Sequence, residues 1–543
     1  MSSFGQIVWY FELVLLHESL RQLPLDHWQP PSYFHLGTEP AVSRAIAFIR
    51  AVRRGDVAKQ SFAAYVPTCD HRPRIVEALW YHVDRILQEL AEIRSCITKT
   101  LDDMMEKNRL DADAGGMFVL PGPVEETWMS DLLINDKLKH KFVSEVKELE
   151  SVPENQKDWH PESNYQVLDL VHPSLYCCVF GRTKCTTSKI NSRSAVECMQ
   201  RAIFSGSQLV ANPHRGSAQY QWIPSDFAVA SDGAVDIRSY INNLHPLQHQ
   251  ELYESIACIF QAFVPMFDNA LSCLLAEEGP LPAMASDLFA HEANHLPAHP
   301  RIPDRIPFRS SSELPFSLRG RTVQVIVKIA EIQLTPENPS YAGGAWHVEG
   351  SDAEQIVATG IYYFGCDNIT ESRLSFRVIV QEPEYQQDDR VGLRAVYGLV
   401  DDARLVQSLG SVTAVEDRCV VFPNTLQHRV EPFELVDSTQ PGVRKILAFF
   451  IVDPTKSIPS TAVIPPQRDE WIRENLDPVL AHLQTSWTVP EGILDTTVAN
   501  FLHVGGMMPD EAKQHRLGLM AERKPMSDAD DDDEELFFSL CEH

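Results

Sequence analysis

The sequence lacks the features that mark membrane proteins and disulfide-bonded scaffolds. No stretch reaches about 18 uninterrupted apolar residues, the length that a membrane-spanning helix needs. The apolar segment 7–16 is shorter, is interrupted by Glu12, and has no basic region or small-residue cleavage site, so it is a poor signal peptide. The 11 cysteines include no CxxC pair, which favours reduced thiols over disulfides or a cysteine-based zinc site. We therefore expect a cytoplasmic protein.

Basic residues are also scarce. Lys and Arg number 47 against 75 Asp and Glu, which gives a net charge of −28. Affinity for nucleic acids and for anionic membranes comes from clustered basic residues, so we expect neither as a partner. Part of the charge lies in an acidic segment, 526–543, which we predict to be a solvated, disordered tail. The expected partner is a small molecule.

Hydrophobic periodicity divides the rest of the chain into a mainly helical region, 1–160, and a core, 161–525. Apolar residues recur every three or four positions over 41–52, 74–111 and 126–149, which predicts helices. Further helices are predicted over 252–275, 470–483 and 509–521. Between 320 and 453 short β-branched and aromatic runs alternate with Gly, Asp, Asn and Pro, as in an antiparallel sandwich or barrel. The predicted strands are 322–332, 345–349, 356–364, 374–380, 411–422 and 445–452. The fold class is therefore α+β.

One segment matches the zinc-hydrolase motif HExxH literally. His291 and His295 would bind zinc from one face of a helix, and Glu292 would act as general base. Pro297 and Pro300 follow at once, however, and a long metal-bearing helix cannot continue through them. No third ligand lies on a helix shortly downstream. A zinc hydrolase therefore remains an alternative that its context disfavours.

A second set of ligand-type residues lies in the β-rich region. In a strand, residues i and i+2 share a face, so His347 and Glu349 would point together into a barrel. His428 follows 81 residues later in another strand-like run. A lone His or Glu on a strand is usually a surface or satisfied residue. Two His and one carboxylate together, however, form the facial triad of non-heme iron oxygenases.

A cation that could bind the carboxylate of a cosubstrate follows this set in the sequence. Arg444 lies 16 residues after His428 and leads an apolar strand. Its planar fork suits the distal carboxylate of 2-oxoglutarate. The neighbouring Lys445 points to the opposite strand face, so a register shifted by one residue would make Lys445 the carboxylate ligand instead.

At these residues the sequence resembles the fungal DUF4246 family, a family of unknown function that looks related to Fe(II)/2-oxoglutarate-dependent oxygenases. The resemblance implies a double-stranded β-helix, that is, a cupin-like jelly roll, as the core of the fold. The matching segments span about residues 160–468 and are Gln221–Ser225 (QWIPS), Ser239–Pro246 (SYINNLHP), Gly344–Gly350 (GAWHVEG), Ile369–Arg377 (ITESRLSFR), Leu426–Pro432 (LQHRVEP) and Arg444–Leu447 (RKIL).

The resemblance assigns iron ligation to His347, Glu349 and His428 and the 2-oxoglutarate anchor to Arg444. One departure from the wider oxygenase pattern is Glu349, because the middle ligand is commonly Asp. Substrate contacts are expected from the SYINNLHP segment, whose Tyr240, Asn242 and Asn243 could equally cap turns, and from Arg377, which could equally be a surface charge.

The implied enzyme is an iron- and 2-oxoglutarate-dependent dioxygenase, an oxidoreductase that uses molecular oxygen. It would oxidise an unactivated C–H bond of a small polar metabolite, such as an amino acid or a secondary-metabolite intermediate, and release succinate and CO2. Hydroxylation, desaturation and cyclisation are all open outcomes. The alternative from another class is a catalytically silent, cupin-like binding or scaffold protein.

Overall fold

A large antiparallel sheet forms around three long strands that are rich in β-branched and aromatic residues. The structure is a computed structural model that describes residues 119–275 (apart from 125, 206 and 213–217), 315–379, 401, 404–486, 492 and 506–528. All described residues belong to one structural unit. The predicted helices at 41–52 and 74–111, the HExxH segment and the acidic tail beyond residue 528 lie outside the described residues.

The described strands, in chain order, are β1 (Leu120–Pro121), β2 (Trp128–Ser130), β3 (Val167–Val171), β4 (Cys178–Val179), β5 (Lys184–Thr186), β6 (Ser207–Leu209), β7 (Tyr220–Gln221), β8 (Ser225–Val229), β9 (Val235–Ile237), β10 (Arg321–Leu334), β11 (Ser340–Tyr341), β12 (Ile356–Asp367), β13 (Ser372–Ile379), β14 (Val406–Ala414), β15 (Cys419–Pro423), β16 (Gln427–Val430), β17 (Phe433–Glu434) and β18 (Gly442–Val452). The described helices are α1 (Asp136–Glu150), α2 (Ala195–Ile203), α3 (Gln250–Leu274), α4 (Asp469–Ser486) and α5 (Pro509–Asp528).

Nine of these strands form the large sheet. Its order is β1-β2-β15-β12-β18-β10-β8-β9, and β3 also pairs with β10. A smaller sheet has the order β14-β13-β16, and β11 pairs with β17 beside it. Apolar side chains of both sheets, such as Phe376 of β13 and Phe450 of β18, share one core cluster. The smaller sheet therefore faces the large one, and the space between them is the inside of the fold.

Helix α3 covers the opposite face of the large sheet. Its rings pack against the sheet: the centroids of Phe260 and Phe449 are 5.2 Å apart. A glycine on β12 permits the close approach, since a Cβ atom at Gly360 would lie 2.6 Å from Phe267. Among the described helices, α3 is the one long and apolar enough to cross a membrane, but 72% of its most apolar window is buried in this fold. The helix is therefore apolar because it is packed in the core of this fold.

The predicted α+β class is confirmed, with three differences in detail. The helix predicted over 126–149 starts later: α1 begins after Asn135, whose side chain accepts from the Leu138 amide, and β2 precedes it. The strand predicted over 411–422 is two strands, because the chain turns at Asp417, where φ is +71°. The segment 345–349 is not a regular strand. It makes one isolated bridge, between His347 and His428.

Candidate metal centre

Three side chains of the ligand type converge between the two sheets. One ligand atom from each of His347, Glu349 and His428, here called the triad, lies within 4.8 Å of the others. Oε1 of Glu349 is 3.3 Å from Nε2 of His428 and 3.8 Å from Nε2 of His347. Neighbouring ligand atoms that share an ion at about 2.1 Å lie about 3 Å apart. The spacing thus fits a single divalent ion bound by two imidazoles and a carboxylate.

The main chain brings the two histidines together directly. The amide of each donates to the carbonyl of the other, with N–O distances of 3.1 Å from His347 and 2.9 Å from His428. The approach depends on Gly343, whose φ is +93° and whose Cβ, if present, would lie 2.9 Å from the Val430 carbonyl oxygen. The two glycines at 343 and 344 therefore permit the bridge between His347 and His428, and regular strand pairing does not continue past them.

The ring of His347 is held in one tautomer. Its Nδ1 atom lies 2.9 Å from the Ala345 carbonyl oxygen, to which it can only donate. The lone pair of the neutral ring therefore lies on Nε2, the atom that faces Glu349. A backbone carbonyl in this position is the usual partner of a metal-bound histidine.

The electrostatics of the triad favour a charged carboxylate. Although burial raises the pKa of Glu349, hydrogen bonds to His347 and His428 hold it well below its usual range. Burial lowers the pKa of His347, but Glu349 raises it further, so the net shift is upward. The pKa of His428 is lowered by burial and by the charge of His347. The ionised carboxylate and neutral His428 are the forms that bind metals.

Glu349 is positioned by Asn424, a residue that the sequence did not single out. The Asn424 side chain accepts from the Glu349 amide at 2.9 Å and donates to the Glu349 carbonyl at 2.9 Å. It also donates to the Ile356 carbonyl at 3.2 Å. This clamp replaces the strand pairing that Glu349 lacks. No local sequence pattern identifies it, because its partners are 68 and 75 positions away.

Arg444 lies inside the fold, and no described carboxylate is paired with it. It is 2% exposed, and Nη1 donates to Oγ of Ser372 at 2.9 Å. The guanidinium carbon lies 5.1 Å from the Tyr363 ring centroid, and Nε has no hydrogen-bond partner among the described residues. Within the described ranges no carboxylate forms an ion pair with it. A buried, unpaired guanidinium is costly, so the site is suited to an anionic ligand.

Lys445, the alternative anchor, points to the other face of β18 and is already paired. Its Nζ lies 2.6 Å from Glu150 and 3.0 Å from Glu331. Both contacts are on the side of the large sheet that faces the helices, where Glu331 pairs in register with Lys445. The geometry therefore favours Arg444 as the carboxylate ligand.

The SYINNLHP segment is placed by internal hydrogen bonds. The Tyr240 hydroxyl donates to the Ile464 carbonyl at 2.9 Å. Asn242 donates to the Leu175 and Tyr176 carbonyls, and Asn243 donates to those of His172 and Leu175, at distances of 2.6–3.3 Å. Asn243 also has a φ of +70°. The contacts of Asn242 and Asn243 fit the turn-capping alternative, whereas Tyr240 bonds a carbonyl that is distant in sequence.

Arg377 lies on the strand face opposite to the triad. In the register of β13 and β16, Phe376 is paired with His428 and Arg377 with Gln427. Paired residues share a face and consecutive residues alternate, so Arg377 points away from His428. Its Nε donates to Gln427 at 2.7 Å, and its guanidinium lies over the Trp346 ring. In this arrangement Arg377 does not face a substrate that is bound at the triad.

A second cluster of ligand-type side chains was not predicted. It consists of His160, Asp169 and His172 and again has its ligand atoms within 4.8 Å of one another. Nδ1 of His160 lies 2.8 Å from Asp169, whereas Nε2 of His172 lies 4.0 Å from it. Asp169 and His172 also line a cavity of about 260 Å³. Spacings of three and nine residues do not by themselves reveal this cluster.

Comparison with known proteins identifies a family but no described function. The family described as "Protein of unknown function (DUF4246)" matches residues 94–475. A search of curated proteins finds no match.

Solved structures that resemble the chain do so weakly. A homolog of bsmA from Methylobium petroleophilum is 8% identical, covers 60% of this chain and 87% of its own, and has a TM-score of 0.25. The Fe(II)/(alpha)ketoglutarate-dependent dioxygenase TqaL is 12% identical, with coverage of 60% and 96% and a TM-score of 0.21. A dioxygenase for auxin oxidation in rice is 11% identical, with coverage of 65% and 86% and a TM-score of 0.23. Such low TM-scores do not establish a shared fold.

Proposed function

This chain belongs to the DUF4246 family, and we propose that it is an Fe(II)- and 2-oxoglutarate-dependent oxygenase. The observation that carries the proposal is the triad, in which two imidazoles and a carboxylate converge within 4.8 Å. Two histidines and one carboxylate bind one face of Fe(II) and leave the remaining positions open. The donor set and its spacing fit the ion, and the tautomer of His347 directs a lone pair to it.

Arg444 supports the cosubstrate part of the proposal. A buried guanidinium with an unsatisfied Nε and no carboxylate partner among the described residues is complementary to the distal carboxylate of 2-oxoglutarate. Ser372 would hold the guanidinium in position through its hydroxyl. The dianionic cosubstrate would thus neutralise a buried charge that no described carboxylate pairs with.

The proposal includes the finer fold, a double-stranded β-helix. From β10 onward the chain alternates between the large sheet (β10, β12, β15, β18) and the smaller strand groups (β11, β13 with β14, β16 with β17). This alternation is what a jelly roll requires, because each sheet is then built from non-consecutive strands. It brings Glu349 and His428 to the same site from segments far apart in sequence.

The residues of this chain would act by binding, orienting and excluding water. When bound, Fe(II) and 2-oxoglutarate supply the oxidation of an unactivated C–H bond, with succinate and CO2 as products of the cosubstrate. His347, Glu349 and His428 hold the ion, and Arg444 orients the cosubstrate. Phe422, whose ring centroid is 4.8 Å from that of His428, keeps the inner side of the site apolar. We take the substrate to be a small polar metabolite and the location to be the cytoplasm.

Succinate formation tests the proposal. The protein is purified without oxygen, supplied with Fe(II), 2-oxoglutarate and oxygen, and assayed for succinate and CO2. We expect uncoupled turnover that disappears in His347→Ala and persists in His482→Ala, a control at an exposed histidine of α4. Iron binding without succinate would favour the catalytically silent protein. Hydrolytic activity that His291→Ala abolishes would favour the zinc hydrolase.

A further inference from the structure

A lysine in the middle of β10 has no partner among the described residues. Lys328 is half-buried, yet it forms neither an ion pair nor a hydrogen bond there. Alternation along β10 puts it on the same face as Ile326, whose side chain belongs to the core between the sheets. Phe422, the ring beside His428, is part of the same core. The ammonium group therefore belongs to the interior that holds the triad.

An aspartate on the neighbouring strand faces the same interior. Asp169 of β3 is paired in register with Ala330, two residues from Lys328 on the same strand face. In a regular ladder such diagonal neighbours lie about 7–8 Å apart, within reach of a lysine side chain. Here a register shift between Ile329 and Ala330 adds one residue to β3 between the two positions. The Asp169 side chain is fully buried, and its Oδ1 has no hydrogen-bond partner, whereas Oδ2 lies 2.8 Å from Nδ1 of His160. One carboxylate oxygen is thus left without a partner in the part of the chain that the structure describes.

The surroundings of Asp169 favour an organic ligand over a second metal. The Ser174 amide donates to Nδ1 of His172 at 3.2 Å, so the neutral ring carries its proton on Nε2 and has no lone pair there for a metal. Nε2 lies 4.0 Å from Oδ1 of Asp169, too far for a hydrogen bond. Arg516 Nη1 lies 3.9 Å from Oδ2, the oxygen that His160 also contacts, so Oδ1 is the oxygen that remains open to a hydrogen-bond donor.

We propose that Lys328 and Asp169 form the substrate subsite and that the substrate is a small zwitterion with a carboxylate and an amino group. The inference rests on the proposed function. A dianionic cosubstrate balances Fe(II), Glu349 and Arg444, so the Lys328 ammonium group and Oδ1 of Asp169 are left without a partner among the described residues. Lys328 would bind the carboxylate, and Oδ1 of Asp169 would accept from the ammonium group.

Electrostatic effects agree with this placement. Burial raises the pKa of Asp169, but His172 and His160 lower it to about 2, so the side chain is a carboxylate at neutral pH. The charge of Lys328 contributes to the lowering of the Asp169 pKa and, in opposition to Glu349, also acts on His347. These effects agree with the geometric placement beside the triad, where Ile326 and Phe422 share one core.

Binding of amino acids tests the inference without turnover. Protein loaded with Mn(II) and 2-oxoglutarate is screened by thermal shift and calorimetry against the twenty proteinogenic L-amino acids, β-alanine, 4-aminobutyrate and ornithine. We expect at least one to bind, with affinity at least 10-fold weaker in Lys328→Met and in Asp169→Asn. The N-acetyl derivative of that ligand should bind weakly to wild type and lose nothing further in Asp169→Asn. Absence of any binder, or equal affinity in Lys328→Met, would overturn the proposal.

Two controls separate this inference from the proposed function. Lys141→Met, at an exposed lysine of α1, should bind the amino acid as wild type does. Lys328→Met should keep wild-type Mn(II) affinity, because Lys328 is outside the triad. If His347→Ala keeps Mn(II) affinity, the metal site is wrong whatever the amino acids do. If Asp169→Asn does not fold, the result for Lys328→Met decides.

Discussion

Nε2 of His428 lies 3.3 Å from Oε1 of Glu349, and hydrogen bonds to His428 and His347 hold the pKa of Glu349 well below its usual range. The ionised carboxylate and the two imidazoles that face it are ligands for a divalent ion, which would take the place of the protons between them. Such an ion should bind to the folded protein and raise its unfolding temperature, because the unfolded chain does not hold the three ligands together.

Removal of the carboxylate should abolish this binding. In Glu349→Ala we expect Mn(II) affinity to fall by more than about 100-fold, since a ligand is lost and not merely its supporting partner. Glu349→Asp should keep weakened binding, because the shorter side chain withdraws the oxygen by about one C–C bond. Mn(II) titration followed by electron paramagnetic resonance measures both. Wild-type affinity in Glu349→Ala would remove the triad as the metal site.

Asn424 allows a test of positioning at the same site. Asn424→Ala leaves all three ligands in place but deletes the two hydrogen bonds to the Glu349 main chain. We expect a 10- to 100-fold loss of Mn(II) affinity, roughly what outer partners of metal ligands contribute. Asn338→Ala, at an exposed turn, is the control and should bind Mn(II) normally. A variant that loses stability but no metal affinity would restrict Asn424 to a structural role.

Substitution of Arg444 should separate ligand binding from stability. Arg444→Met removes a buried charge that has no carboxylate partner within the described ranges, so the free energy of unfolding without ligand should stay the same or rise by up to about 4 kcal/mol. Affinity for 2-oxoglutarate should fall by about 30- to 1000-fold, since its carboxylate loses a buried partner. Calorimetry on Mn(II)-loaded protein measures the affinity, and urea unfolding measures the stability.

The adjacent lysine is the matched control for Arg444. Lys445→Met removes the partner of Glu150 and of the buried Glu331, so we expect destabilisation of about 1–3 kcal/mol. Affinity for 2-oxoglutarate should not change, because Lys445 points to the helical side of the sheet. The opposite pattern for the two variants would reverse the assignment of the anchor.

Much of the β-rich half could be predicted from sequence, because its strands alternate strongly and have clear turn signals. The long strands β10, β12 and β18 agree with the prediction to within about three residues. Segment 345–349 could not be predicted correctly, because its conformation depends on His428 and Asn424, which are distant in sequence. Local propensity does not report such contacts.

The candidate site likewise contains some residues that could be identified from sequence and others that could not. His347, Glu349 and His428 could be found because their residue types and order carry the chemistry. Asp169 and Lys328 could not, since a single Asp and a single Lys on two strands are ordinary. Only the register of β3 with β10 brings them to one face. Tyr240 and its neighbours belong to a distinctive motif, but their contacts are with main-chain carbonyls.

The buried Glu331 should make stability depend on pH. Burial and a hydrogen bond with Glu150 raise the pKa of Glu331 from 4.5 to about 7. Between these values the folded protein retains a proton that the unfolded chain has lost, so stability falls as pH rises through this window. Wild type should lose on the order of 2 kcal/mol of stability between about pH 5 and 7. Glu331→Gln, whose side chain is neutral throughout, should not lose it.

Urea unfolding of metal-free protein at intervals across this range provides the measurement. Glu434→Gln, at an exposed glutamate of β17, is the control and should follow wild type. If Glu331→Gln and wild type fall in parallel, Glu331 is not the group that titrates.

The ion pair between Glu354 and Arg523 should hold helix α5 against the segment that carries His347 and Glu349. Glu354 is fully buried; its Oε1 accepts from the Trp222 amide and from Arg523, both at 2.6 Å. Its Oε2 accepts from the amide and hydroxyl of Ser351, both at 2.7 Å. Because Glu354 stays buried with unpaired charge when its partner is removed, Arg523→Ala should destabilise the protein by about 3 kcal/mol.

Glu354→Gln tests whether the charge itself is required. The amide keeps one acceptor oxygen but offers an NH₂ group to donors, so we expect a loss of about 2 kcal/mol or more and no further loss when Arg523→Ala is added. Lys513→Ala, at an exposed lysine of α5, should be neutral. Urea unfolding of wild type, the two single variants and the double variant gives the coupling energy between Glu354 and Arg523. If the two losses simply add, the pair is not coupled, and α5 is held by the packing of Arg523 on the Trp222 ring, 4.1 Å away.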